Sequence, residues 1–164
     1  MPKARESDLP IADELQRQSD RGAAILAVAY LEHQLDLALA ARFVIDVHTK
    51  DSFRKVFKHT GPAGAFGIKA EVAFLLGLCA YEMKNDLLLL SEIRNDFAHI
   101  SRAVDFGSPG MRDKCAGLTS LDGAVADGSL DGPDARRKFM AAIAQAAERF
   151  GVPANADAMS DRQS

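Results

Sequence analysis

Tryptophan is absent, cysteine occurs only twice and long apolar runs are missing, and each shortage removes a class of protein. Cys79 and Cys115 stand far apart with no CxxC spacing, which argues against a disulfide framework and a zinc ribbon. Cys79 lies in an apolar run and reads as a small buried hydrophobe. No His/Cys/Asp cluster has metal-ligand spacing, so neither a metal nor another cofactor is expected. The longest apolar run, Val72 to Ala80, is far too short to span a bilayer. Residues 1–15 lack the apolar core of a secretory signal. These absences predict a soluble, cytoplasmic protein with no membrane contact. Excess positive charge is missing too, for the net charge is −3. Phosphate neutralisation supplies most of the affinity of a free-standing DNA binder, so direct DNA binding is not expected. No helix-turn-helix with a basic recognition helix can be read. The local basic group Arg54, Lys55, Lys58 and His59 reads as the solvated side of an amphipathic surface.

What remains is rich in alanine and leucine, with 48% of the 164 residues hydrophobic and β-branched runs scarce. That mixture favours helix over sheet. The length suits one domain and a core that needs no staples. The expected fold is all-α, a bundle of four to six helices, with a flexible N-terminus over 1–10, a single domain over 11–151 and a disordered tail over 152–164. Pro10 opens a short helix from Ile11 to Gln18. Ser19 or Asp20 then caps a long helix reaching about Val47, whose buried stripe comprises Ile25, Val28, Leu31, Leu35 and Leu39. A short connector helix, 49–58, carries Phe53, Val56 and Phe57. After the break at Gly61-Pro62-Ala63-Gly64, residues 65–80 form a helix apolar nearly all round, which should be central. Residues 83–100 form the next, with Leu87, Leu90, Ile93 and Phe97 inward. Six of the twelve glycines fall within 103–135, a loop-rich stretch with one short helix over 111–118. The last helix starts at Pro133-Asp134, runs to Phe150 and buries Phe139, Ile143, Ala146, Ala147 and Phe150.

The most informative segment is Ser91-Glu92-Ile93-Arg94-Asn95-Asp96-Phe97-Ala98-His99, where polar residues crowd the end of a leucine-rich helix. Arg94 lies beside the buried stripe and there needs a carboxylate partner, because an unpaired buried charge is costly. Glu71, which interrupts an apolar run, is the best candidate; Glu32 and the pair Asp20–Arg21 are others. Asn95 and His99 share a face. Arg94 and His99 are about 140° apart on an ideal helix, so they meet over one ligand only if the helix unwinds or a second protomer contributes. Two readings stay open. In one, the group is a structural network in which His99 caps helix carbonyls. In the other, His99 acts as general acid or base, Arg94 stabilises a phosphorane and Asn95 orients RNA, without metal. Gly61–Phe66 lacks a Gly-Lys-Ser/Thr ending and reads as a turn, although the helix N-terminus behind it, with Lys69 one turn in, suits an anion.

Five segments occur in a familiar order: Ser19-Asp20-Arg21-Gly22-Ala23-Ala24, Tyr30-Leu31-Glu32, Gly61-Pro62 with Gly64 and Phe66, Leu75-Leu76-Gly77-Leu78, and Ile93 to His99. Over about residues 18–101 the chain resembles the mannitol operon repressor (MltR) family. The resemblance implies an all-helical regulator of transcription, named for repression of mannitol uptake and metabolism genes. It implies no DNA-binding motif, so action through a protein partner, from a homodimer, is expected. Arg-Asn, three residues, then His also resembles the HEPN signature of helical, often dimeric proteins, many of them metal-independent ribonucleases. Carried over, that resemblance places an RNA-cleaving site at Arg94, Asn95 and His99, with Arg and His drawn from two protomers. Asp20, Arg21, Lys69, Glu71 and Asp96 complete the expected polar network.

Overall fold

The computed structural model describes residues 9–58, 60–99, 101, 103–121 and 134–151. The expected flexible stretch over 1–8, the tail over 152–164, the basic-patch residue His59, the helix end at Ile100 and most of the glycine-rich connection (122–133) lie outside them. The described residues are helical with no strand: α1 (Ala12–Arg17), α2 (Asp20–Ala40), α3 (Lys50–Phe57), α4 (Phe66–Leu75), α5 (Tyr81–Ala98), α6 (Pro109–Ala116), a 3-10 turn (Thr119–Leu121) and α7 (Ala135–Phe150). The all-helical bundle read from composition and periodicity is therefore the fold.

α2 is its centre and packs against α1, α4, α5 and α7. Ser19 caps it, its hydroxyl accepting from Gly22 N at 3.2 Å, which leaves Asp20 free for another task. Val28, Leu31, Leu35 and Leu39 are buried as expected, whereas Ile25 is exposed. The buried face is instead continued by Ala23, Ala24 and Ala27, small side chains that let neighbouring helices approach. By length and mean hydropathy α2 is also the one described helix apolar enough to cross a membrane, a point that counting unbroken apolar runs misses. Here its apolar stripe faces other helices.

Helix α2 stops at Ala40, seven residues before the expected end. The Asp46 carboxylate accepts from His48 N at 2.8 Å and Thr49 N at 2.9 Å, and the Thr49 hydroxyl donates to the Val44 carbonyl. Those local bonds compete with helical ones and fold 44–49 into a turn. The amides of Thr49 and His48 hold the Asp46 carboxyl below its ordinary range.

Helix α4 is shorter than expected and is not central. It ends at Leu75, where Gly77 adopts φ 69° and Leu78 N donates to the Ala73 carbonyl at 2.9 Å, a glycine-closed helix end. Phe66, Ala70 and Ala73 are buried, but Leu75 is 80% exposed and Ile68 also faces out. The all-round apolar pattern thus marks a one-sided helix with an oily outer face. Before α4, a Cβ on Gly61 would lie 2.3 Å from the Lys55 carbonyl oxygen, so the close approach of that turn to α3 requires glycine.

Leu87, Leu90, Ile93 and Phe97 form the inner stripe of α5, all at 1% exposure or less. Phe97 packs on Phe106, with ring centroids 4.8 Å apart, and Phe106 on Phe139 at 5.3 Å. This aromatic column joins α5, the loop before α6, and α7. Asp134 caps α7 through the amides of Arg136 and Arg137. The final helix then buries Phe139, Ile143, Ala146, Ala147 and Phe150, as its spacing predicts. Leu9 also joins the core, ahead of the expected start at residue 11.

Candidate functional site

The aromatic column fixes the end of α5, and the sequence-predicted polar residues fall into two groups and a separate Glu71–Lys84 pair. The first group sits at the end of the bundle where α2 begins and α5 finishes. Asp20 accepts from Phe106 N at 3.0 Å and pairs with Arg136 at 2.7 Å, so it ties the start of α2 to the loop and to α7. Arg136 also donates to the Leu15 carbonyl at 2.9 Å and so reaches α1. Arg21 Nη1 donates to the His99 carbonyl at 3.4 Å. A helix C-terminus attracts a cation, and here the neighbouring helix supplies it rather than His99 itself. Asp96 pairs with Lys114 of α6 at 2.6 Å.

Arg94, Asn95 and His99 belong to the same end. Arg94 is half-buried, and its Nε is buried with no hydrogen-bond acceptor among the described residues. Asn95 and His99 are exposed. The helix stops at Ala98, but His99, its C-cap, keeps a helical φ of −69° and its N–H still donates to the Asn95 carbonyl, so the backbone preserves the helical offset between Arg94 and His99.

The expected Arg94–Glu71 pair does not form. Glu71 instead faces Lys84 at 3.5 Å. Lys84 and Arg94 are ten residues apart on α5, about 15 Å along an α-helix, too far for one carboxylate to serve both. Lys84 also lies over the Tyr81 ring, 4.8 Å from its centroid.

The second group surrounds Lys69. Its side chain is buried, and its Nζ sits 2.9 Å from Glu32 and 2.8 Å from Asp36, both on α2. Glu32 was a possible partner for Arg94 by sequence and is committed here. Lys69 is likewise no free anion hook for the α4 N-terminus, because two carboxylates already claim it. Burial is the largest single influence on Lys69 and pushes its pKa down, yet the hydrogen bonds and charge of Asp36 and Glu32 together outweigh it and hold the pKa above 10.5. The pair lines an open cleft of about 310 Å³ whose other walls include Phe53, Phe57, Arg54, Lys58 and Gly64.

Sequence reasoning missed Asp86. It is 3% exposed and accepts from Thr119 N at 3.0 Å, from Ser120 N at 2.9 Å and from the Ser120 hydroxyl. The signal was available: Asp86, Leu90, Ile93 and Phe97 follow 4-3-4 spacing, so an acid occupies the inner stripe. Arg136 and Lys114 were also missed, since nothing local distinguishes them from ordinary surface cations. Among the described residues no three His, Cys, Asp or Glu side chains are placed to hold a metal ion. Burial pushes the Cys115 thiol up to about 12 and raises Cys79 as well, so both are held as unreactive thiols at neutral pH.

No protein-family model and no curated protein matches the chain. One solved structure does: a chain of the X-ray structure of the MtlR–HPr complex from Escherichia coli, with a TM-score of 0.66. The fold is shared. The match covers 84% of this chain and 96% of that one at 16% sequence identity. At that identity the match shows a common fold.

Proposed function

We propose that this chain is a regulator of carbohydrate-gene transcription that works by docking a protein partner and does not read DNA itself. The observation that carries the reading is the likeness of fold, over 84% of this chain, to a structure containing MtlR in complex with HPr. The net charge of −3 supports it, because an acidic chain without a basic recognition helix has little with which to hold phosphates. Its first group of polar side chains fits a docking module, since Asp20, Arg136 and Asp96 lock helices together. The single domain over 11–151, a homodimer and a cytoplasmic location are parts of the same proposal.

Titration calorimetry with purified HPr of Escherichia coli is expected to show saturable binding, and deletion of the gene is expected to change transcripts of a carbohydrate-uptake operon. No heat of binding together with an unchanged transcriptome removes this reading.

A second reading rests on Arg94. Its Nε lacks an acceptor among the described residues, and Asn95 and His99 on the same helix end are exposed, which supports the metal-free ribonuclease reading. Labelled RNA incubated with the protein across pH 5–8, the range in which histidine changes charge, is expected to remain intact. Cleavage that His99→Ala abolishes would transfer the assignment to this second reading. Because His99 is exposed, that substitution should leave stability within about 0.5 kcal/mol of the parent.

A further inference from the structure

The segment between α2 and α4 exposes what a bundle normally hides. Val44 is 78% exposed and Val47 85%, and Phe43, Ile45 and Val56 are also exposed large hydrophobics. Phe43, Val44, Ile45 and Val47 fall within five consecutive residues, unlike scattered surface leucines that need no explanation. α3 buries no residue. Its aromatic side stacks mainly within the segment: Phe53 lies 4.7 Å from Phe57, and Phe43 5.4 Å from Phe57, centroid to centroid. Residues 43–58 carry Lys50, Arg54, Lys55 and Lys58 against Asp46 and Asp51, a positive excess on a chain whose net charge is −3, and Arg54 and Lys58 line the cleft shared with Glu32 and Asp36.

We infer that residues 43–58 form a docking surface for a protein segment with an apolar centre and an acidic rim. This rests on the reading that the chain acts through a protein partner, and it names where that partner sits. Charge decides between possible occupants. A second copy apposed two-fold through this face would bring Lys50, Arg54, Lys55 and Lys58 against their own mates. Nucleic acid would satisfy the cations and leave the valines in water. A bilayer would have to take in Asp46, which lies between Ile45 and Val47 and is held by the amides of His48 and Thr49. An acidic, apolar-centred protein segment satisfies both halves of the surface at once.

The test uses two synthetic amphipathic peptides of equal length that share a Leu/Phe stripe, one flanked by Glu and the other by Lys. With the full-length protein at low salt, the Glu peptide is expected to bind about tenfold more tightly than the Lys peptide, and amide NMR shifts should concentrate in 43–58. Val44→Ser/Val47→Ser, at positions too exposed to unfold the chain, should abolish binding. Lys50→Glu/Lys55→Glu should reverse the preference. Equal affinity for the two peptides, shifts elsewhere, or indifference to the serine pair would overturn the inference. So would preferential binding to phosphatidylglycerol-containing vesicles, or self-association removed by the serine pair. HPr binding with no peptide discrimination would leave the proposed function standing and reject this surface. Peptide discrimination with no HPr binding and an unchanged transcriptome would do the reverse.

Discussion

Asp86→Ala is expected to lower the unfolding free energy by about 2–4 kcal/mol, because it strips acceptors from two backbone amides and a hydroxyl at a buried site. The side chain is 3% exposed, and its two oxygens serve Thr119 N and Ser120 N separately. It is the link through which α5 holds the 3-10 turn that leads out of α6. Asp86→Asn keeps one acceptor and turns a donor toward the other amide, so it should lose roughly half as much. Urea denaturation would show the loss as a shifted midpoint at constant slope. The comparison is Asp113→Ala, an exposed acid on α6 expected to change stability by less than about 0.5 kcal/mol. If both alanine variants melt alike, the carboxylate does not secure the turn.

The Lys69 cluster carries the second large effect, and its sign with pH identifies it. With Glu32 and Asp36 in place, the folded pKa lies above the ordinary 10.5. The contribution of Lys69 is then fully present below pH 10.5 and is lost as pH rises through the folded value. Glu32→Gln/Asp36→Asn leaves a buried ammonium with neutral partners. Burial then dominates and the folded pKa falls below 10.5, so the variant gains stability as pH rises toward that value. At neutral pH the double variant should be less stable by about 1–3 kcal/mol, less than a fully buried broken pair costs because both carboxylates are partly exposed. Between pH 7 and 10 the gap to the parent should narrow. A gap that stays constant or widens would show that the lost stability does not come from the charge on Lys69.

Helical periodicity made most of this fold legible. The stripe Leu87–Leu90–Ile93–Phe97 and the face of α7 were readable because each residue of the pattern meets the core once per turn. Helix ends were read less well where they depend on bonds invisible to periodicity. α2 continued to Val47 on apolar content alone, but the Asp46 side chain took the amides of His48 and Thr49. α4 read as central because composition cannot tell an apolar side chain that meets a neighbour from one that meets water. At the polar groups, residue types were visible and partnerships were not. Glu71 suited Arg94 chemically, but its partner depended on the distance between Lys84 and Arg94 along α5. Lys69 has no visible partner in sequence because its two carboxylates lie more than thirty residues earlier in the chain. Arg136, more than a hundred residues from Asp20, had no local signal at all.

That distance also governs how the chain is made. The central helix packs against the last one, and a single guanidinium from the last holds the first helix by its carbonyl. On a ribosome, the α2 surface destined for α7 emerges long before its cover. The interval spans residues 41–134, roughly 5–20 s of translation at about 5–20 residues per second. Throughout it the nascent chain presents an uncovered apolar strip, so its attraction for chaperones should be greatest in that interval and fall once α7 has emerged and closes the bundle.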